Sequence, residues 1–231
     1  LKPTSSSRPE DVATCRLCPR LREYCAEVGR TRKRAFANDV YWARPVPGYG
    51  DLNARIVLIG LAPAAHGANR TGRMFTGDGD MASSGFLARA LHANGLAKLP
   101  HSERADDGQE LYGVWITAVC RCAPPDNKPL PEEIANCHSH LVDDIARLPQ
   151  ARVYVALGRL AFDACWRLVR EAGVPVPPAR DRPFGHGLVY PTTGGPTIIA
   201  SFHPSRQNTN TGKLTPAMLA SVFEKAKNAL K

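Results

Sequence analysis

Apolar positions along the chain fall into two patterns that alternate: short unbroken runs, and longer stretches with helical spacing. Residues 56–59, 114–119, 153–157 and 197–202 are apolar, largely β-branched runs with little polar alternation. Such runs mark strands covered on both faces, as in a parallel sheet. Between them, residues 85–96 carry Phe86, Leu87, Ala90 and Leu91 on one stripe and stop at Asn94-Gly95. Pro131 opens another helix, with Glu132 and Glu133 suited to its positive end and Ile134, Cys137, Leu141, Ile145 and Leu148 on its apolar face. Residues 160–171 and the stretch after Thr215-Pro216 read as two more helices, residues 188–190 as a short hairpin, and residues 43–50 as irregular chain. Nearer the N-terminus, Leu17, Leu21 and Tyr24 give residues 10–28 a helical spacing. The alternation predicts an α/β fold: a three-layer α/β/α sandwich with a central four-stranded, mainly parallel sheet. Residues 1–231 are expected to form one domain, with 1–9 as a flexible tail.

Charge changes the picture first. Thirty Lys and Arg against 21 Asp and Glu leave +9, an excess that suits a polyanionic partner, nucleic acid above all. Arg30, Arg32, Lys33, Arg34 and Arg44 cluster early, while Arg70, Arg73, Arg206 and Lys213 fall in polar loops after strands. No apolar run approaches a membrane span and no secretory pattern is visible, so the expected compartment is the cytoplasm, with nucleoid association on DNA. Leu1, not Met, stands first, so this says nothing of any preceding segment. A monomer is expected. The seven cysteines, odd in number, argue against a disulfide framework and leave metal, cluster or inert thiols. Cys15-Arg16-Leu17-Cys18 has the spacing of two ligands to one metal centre. Cys165 reads as core.

Strands of a parallel sheet open on one edge, where ligands bind. Three loops reach that edge. The first, GLAPAAHGANRTGRMFTGD from Gly60, is long, polar and glycine-rich; the second is CRCAPPDNKP from Cys120; the third is HPSRQN from His203. The first lacks G-K-[ST], which disfavours a nucleotide-phosphate enzyme.

These blocks, together with ITAVCRCAPPDNKP, FHPSRQNTNTGKLT and the N-terminal C-x-x-C, resemble the family 5 (type b) branch of the uracil-DNA glycosylases over nearly the whole chain. The resemblance implies a monofunctional N-glycosyl hydrolase acting on DNA in base excision repair, and a 4Fe-4S cluster. Its ligands would be Cys15, Cys18, Cys122 and Cys137. Cys120 shares a strand face with Cys122, and strand geometry alone does not exclude it. A four-cysteine zinc site in a non-catalytic nucleic-acid-binding module is the rival reading.

Glycosidic cleavage in DNA needs an extruded base. The resemblance makes Phe75 the stacking platform. An oxocarbenium-like sugar wants a carboxylate, for which Asp78 is the choice and Asp80 the alternative. His203 would donate to the departing base, helped by backbone N–H groups near Ala62 and Ala64, with Asn127 as a further amide contact. Ser205, Arg206, Gln207, Arg70 and Arg73 are the expected DNA contacts. The stretch Ala62-Pro63-Ala64-Ala65 has no polar water activator, and Ala118 stands where family 4 relatives place an asparagine. With no bidentate reader, discrimination should fall. Uracil, hypoxanthine and xanthine are therefore all expected substrates.

Overall fold

The computed structural model describes residues 12–79 and 82–231. The tail at 1–9 and Asp80 therefore lie outside the described residues. Four parallel strands form the centre: β2 (Ile56–Gly60), β3 (Val114–Ala118), β4 (Val153–Leu157) and β6 (Thr197–Ser201). Two short antiparallel strands extend the edges, β1 (Tyr49–Gly50) against β3 and β5 (Val189–Tyr190) against β6. The sheet thus has six strands in the order β1-β3-β2-β4-β6-β5, two beyond the four expected in the central sheet. β5 falls on the short hairpin expected at residues 188–190, while β1 lies in the stretch read as irregular and, at two residues, is too short for any periodicity to register.

The side-chain period of two sorts the central strands cleanly. Ile56, Leu58, Val114, Ile116, Val153, Val155 and Ile199 face one layer, which includes α3 (Ser83–Ala93) and α7 (Pro216–Asn228). Val57, Ile59, Trp115, Tyr154, Ala156 and Ile198 face the other, built from α4 (Pro131–Ala146) and α5 (Arg159–Glu171). This two-sided cover is why the strands read as unbroken apolar runs.

The helical stretch expected over residues 10–28 is interrupted: residues 12–13 are helical, 14–18 are not, and α1 runs over Pro19–Thr31. Proline fits only the first helical turn, so Pro19 sets the boundary. Cys18 becomes the residue that caps the helix, and Cys15 lies in the turn before it, not within a helix. Two brief helices complete the chain, α2 (Ala68–Thr71) and α6 (Arg206–Asn210). Among the described residues no helix is long and apolar enough to cross a membrane.

The chain leaves β2 for β3 on one side and later returns to place β4 on the other. Connections therefore diverge from the carboxyl end of β2, and a crevice opens there, as parallel sheets of this kind dictate.

Candidate active site and cysteine corner

A cleft of about 800 Å³ occupies that crevice, within the usual range of small-molecule sites. Its walls come from all three strand-end loops. Ala62, Ala64, His66, Phe75 and Asp78 come from the loop after β2, Pro124, Asp126 and Asn127 from the loop after β3, and His203, Ser205, Arg206 and Gln207 from the loop after β6. Residues as far apart in sequence as Ala62 and Gln207 thus meet in one space.

Phe75 and His203 lie with ring centroids 5.9 Å apart and planes tilted by 32°. Phe75 holds φ at 49°, a left-handed conformation that is uncommon for a bulky residue and tends to cluster at functional sites. Gly60 makes room for it: a Cβ there would fall 2.8 Å from the edge of the phenyl ring. Asp78 is oriented by the first turn of α3, whose Ser84 N–H donates to Oδ1 at 3.0 Å. An exposed helix N–H is a ready partner for a carboxylate. The Asp78 carbonyl in turn accepts from Arg206 at 3.3 Å.

Burial pushes the His203 imidazole down to about 4, against the pull of the nearby Asp78 charge. The ring is neutral at pH 7 and offers one N–H and one lone pair. Its backbone carbonyl is fixed by Asn208 Nδ2 at 2.8 Å. Among the described residues, the N–H groups of Ala62 and Ala64 donate to no protein acceptor. Asn127 is exposed, with φ at 56°, beside Asp126 at 53°. Ser205 caps α6 by accepting from Asn208 N–H, which occupies part of its hydroxyl's capacity; Arg206 and Gln207 are exposed. Ala118, by contrast, is buried, paired with Gly60 beneath the cleft and not on its wall.

Two of the expected DNA contacts do not belong to this surface. Arg73 is buried and donates to Thr76, Ser102, the Ala105 carbonyl and both oxygens of Asp107. Burial would raise the Asp107 carboxyl, but Arg73 and three backbone N–H groups hold it near 2. Arg70 pairs with Asp39 at 2.5 Å, donates to the carbonyls of His66 and Gly77, and lies 4.0 Å over the Phe36 ring. Neither guanidinium lines the cleft. Both guanidiniums are instead engaged by partners within the protein.

A second, smaller cavity lies where α1, α4 and the exit of β3 meet. Cys15, Cys18, Cys122 and Cys137 all line it, with Arg121 and His140. Cys120 is buried outside this lining, as is Cys25, whose S–H donates to the Ala123 carbonyl at 3.6 Å. The Arg121 N–H donates to Cys137 Sγ at 3.2 Å. Arg121 itself is 1% exposed and bonds Asp144 Oδ2 at 2.5 Å, yet its Nε and Nη1 find no acceptor, nor do the His140 ring nitrogens. A buried cation with unpaired donors wants an anion beside it. Four thiolates around an iron–sulfur core would supply one, so the residues present fit such a group. Among the described residues no group of three or more His, Cys, Asp or Glu side chains converges tightly enough to hold a single metal ion.

Sequence reasoning did not single out the Ser84 N–H, the Gly60 gap or Arg121. Only Gly60 left a signal, as a residue without a side chain closing an apolar strand.

A ring, a carboxylate and a neutral imidazole at the switch point of a parallel sheet define an α/β enzyme site. The chain belongs to the uracil DNA glycosylase superfamily, whose family profile matches residues 47–227. It is 51% identical over 218 residues to the Type-5 uracil-DNA glycosylase of Thermus thermophilus, covering 94% of each chain. The Type-5 uracil-DNA glycosylase of Pyrobaculum aerophilum is 45% identical over 93% of this chain and 88% of its own. The Type-4 uracil-DNA glycosylase of Thermotoga maritima is 31% identical over 80% of this chain and 83% of its own.

Proposed function

We propose that the protein, as one domain, is a DNA glycosylase that extrudes uracil, and also hypoxanthine and xanthine, and hydrolyses the N-glycosidic bond to leave an abasic site. The observation that carries this reading is the meeting of Phe75, Asp78 and His203 in one cleft beyond the strand ends. Phe75 stacks on the extruded base, which typically contributes about 1–3 kcal/mol. As the bond breaks, positive charge grows on the sugar and negative charge on the base. Asp78, held by the α3 N-terminus, stabilises the former and orients the water. Neutral His203 donates to the base carbonyl, together with the unpaired Ala62 and Ala64 N–H groups. Asn127, exposed at the wall, reaches the base edge with its amide. Ser205, Arg206 and Gln207 occupy the space the nucleotide leaves. Broad base choice follows from the cleft wall: no buried amide would be left unpaired by a different base.

Cys15, Cys18, Cys122 and Cys137 would hold a 4Fe-4S cluster. Bound by these residues, such a group would tie the start of α1, α4 and the β3 exit together, while the bond-breaking falls to the cleft. The protein would work as a monomer in the cytoplasm, on chromosomal DNA.

The test is a panel of oligonucleotides, each carrying one uracil, hypoxanthine or xanthine, cleaved with alkali after incubation. Strand breaks at all three are expected. Breaks at uracil alone would remove the broad specificity, and breaks at none would remove the activity.

A further inference from the structure

The basic run that follows α1 has no part in the chemistry above, yet it reaches the same cleft. Arg30 pairs with Glu27, and Arg32 donates to the carbonyls of Gly29 and Ala37. Lys33 and Arg34 differ. Both are exposed, and neither has a partner among the described residues. Lys33, which precedes the short turn Arg34–Phe36, lines the cleft together with Phe36. One cation without a side-chain partner lines a site read as handling DNA, and a second follows it directly in the chain, at the start of the turn that carries Phe36.

What holds them is Arg70. Its guanidinium covers Phe36 and pairs with Asp39 on one side, and bonds the carbonyls of His66 and Gly77 on the other. The backbone repeats the link: Trp42 N–H donates to the Arg70 carbonyl and Ala43 N–H to that of Asn69, each at 2.9 Å. The segment after α1 is therefore clamped to the very loop that carries Phe75 and Asp78. His66 registers the resulting field. Burial lowers its pKa, and Lys33 and Arg70 lower it further.

We propose that Lys33 and Arg34 form a second grip on the DNA backbone, binding phosphates that flank the extruded nucleotide, and that Arg70 is the positioning residue that fixes this grip relative to the base-stacking ring. The proposal rests on DNA as the substrate but not on which base is released. It also gives α1 a double duty. Cys18 caps the helix at the cysteine corner, and the opposite end delivers the grip.

The experiment compares the unaltered protein with Lys33→Ala/Arg34→Ala and with Arg70→Met. Binding to a duplex with one uracil is measured across a salt series, and base release under single turnover. Each phosphate neutralised contributes about −0.9 to the slope of log affinity against log salt. The double variant should show a slope shallower by about 1.8 and affinity lower on the order of tenfold at 0.1 M salt. Its loss should fall on the half-saturating protein concentration, not on the rate at saturation. Arg70→Met should share the shallower slope; a lowered melting temperature with the slope intact would reduce Arg70 to a purely structural part and overturn its role. A double variant whose slope and affinity match the unaltered protein would overturn the grip. If the unaltered protein releases no base, the enzymatic reading fails, while the salt slopes, which need no turnover, still decide the grip.

Discussion

The cleft and the cysteine corner are neighbours that share their chain. The loop after β3 sends Cys122 into one and Asn127 into the other, and α1 lends Leu21 to the corner and Tyr24 to the cleft. Their construction differs. In the corner, polar groups are buried: Arg121 and Asp144 are each about 1% exposed and bonded to one another, and Asp144 also takes the Thr117 hydroxyl at 2.6 Å, while Arg121 Nε and Nη1 and the His140 ring nitrogens stay without partners. In the cleft they are left open on a strained backbone, with Phe75, Asp126 and Asn127 all at positive φ. A buried ion pair seldom adds net stability over an apolar equivalent, but breaking one is costly. The corner buries its unpaired donors beside an ion pair. The cleft leaves its polar groups open and stores backbone strain, which has value only when something enters.

Substitutions should separate the two regions. The largest effect belongs to the cleft: Asp78→Ala should slow single-turnover base release by about 10²–10⁴-fold, the range for a positioned acid–base or electrostatic group. Its melting temperature and DNA affinity should change little. A large loss of affinity instead would make Asp78 a binding residue. In the corner the pattern should invert. With the proposed cluster in place, Cys122→Ser would lose most of the iron and brown absorbance that the cluster brings and melt on the order of 10 °C lower, as expected for a few kcal/mol in a chain of this size. Cys120→Ser should keep its iron, and metal analysis that reverses the two would exchange them as ligands.

The smallest effect concerns pH. With His203 held near 4, base release should stay within about twofold from pH 6 to 8, where an ordinary histidine would titrate. The fold favours the neutral ring, so this contribution to stability is complete above the unfolded value of about 6.5 and declines as pH falls toward 4. A rate step centred near pH 6.5 would show that the ring is not desolvated in solution.

The four central strands were legible because burial on both faces leaves unbroken apolar runs, a property of each segment by itself. The meeting of Phe75, Asp78 and His203 followed from topology plus resemblance. What was not legible is non-local pairing. Arg73 looked like a loop cation because its partner Asp107 lies 34 residues on, in a polar stretch that reads as plain surface. Arg70 misled for the same reason, with Asp39 31 residues back. The break before α1 was legible in principle, since Pro19 forbids the helix that the apolar spacing suggests.

Gly60 has a consequence for how this protein tolerates change. The phenyl ring occupies the volume where any other residue would begin, and it does so at the end of a strand locked on both sides. A single added methyl would push the platform off its seat without touching an acid, a base or a ligand. In a survey of every substitution, position 60 would score like a catalytic residue, although it has no side chain with which to react.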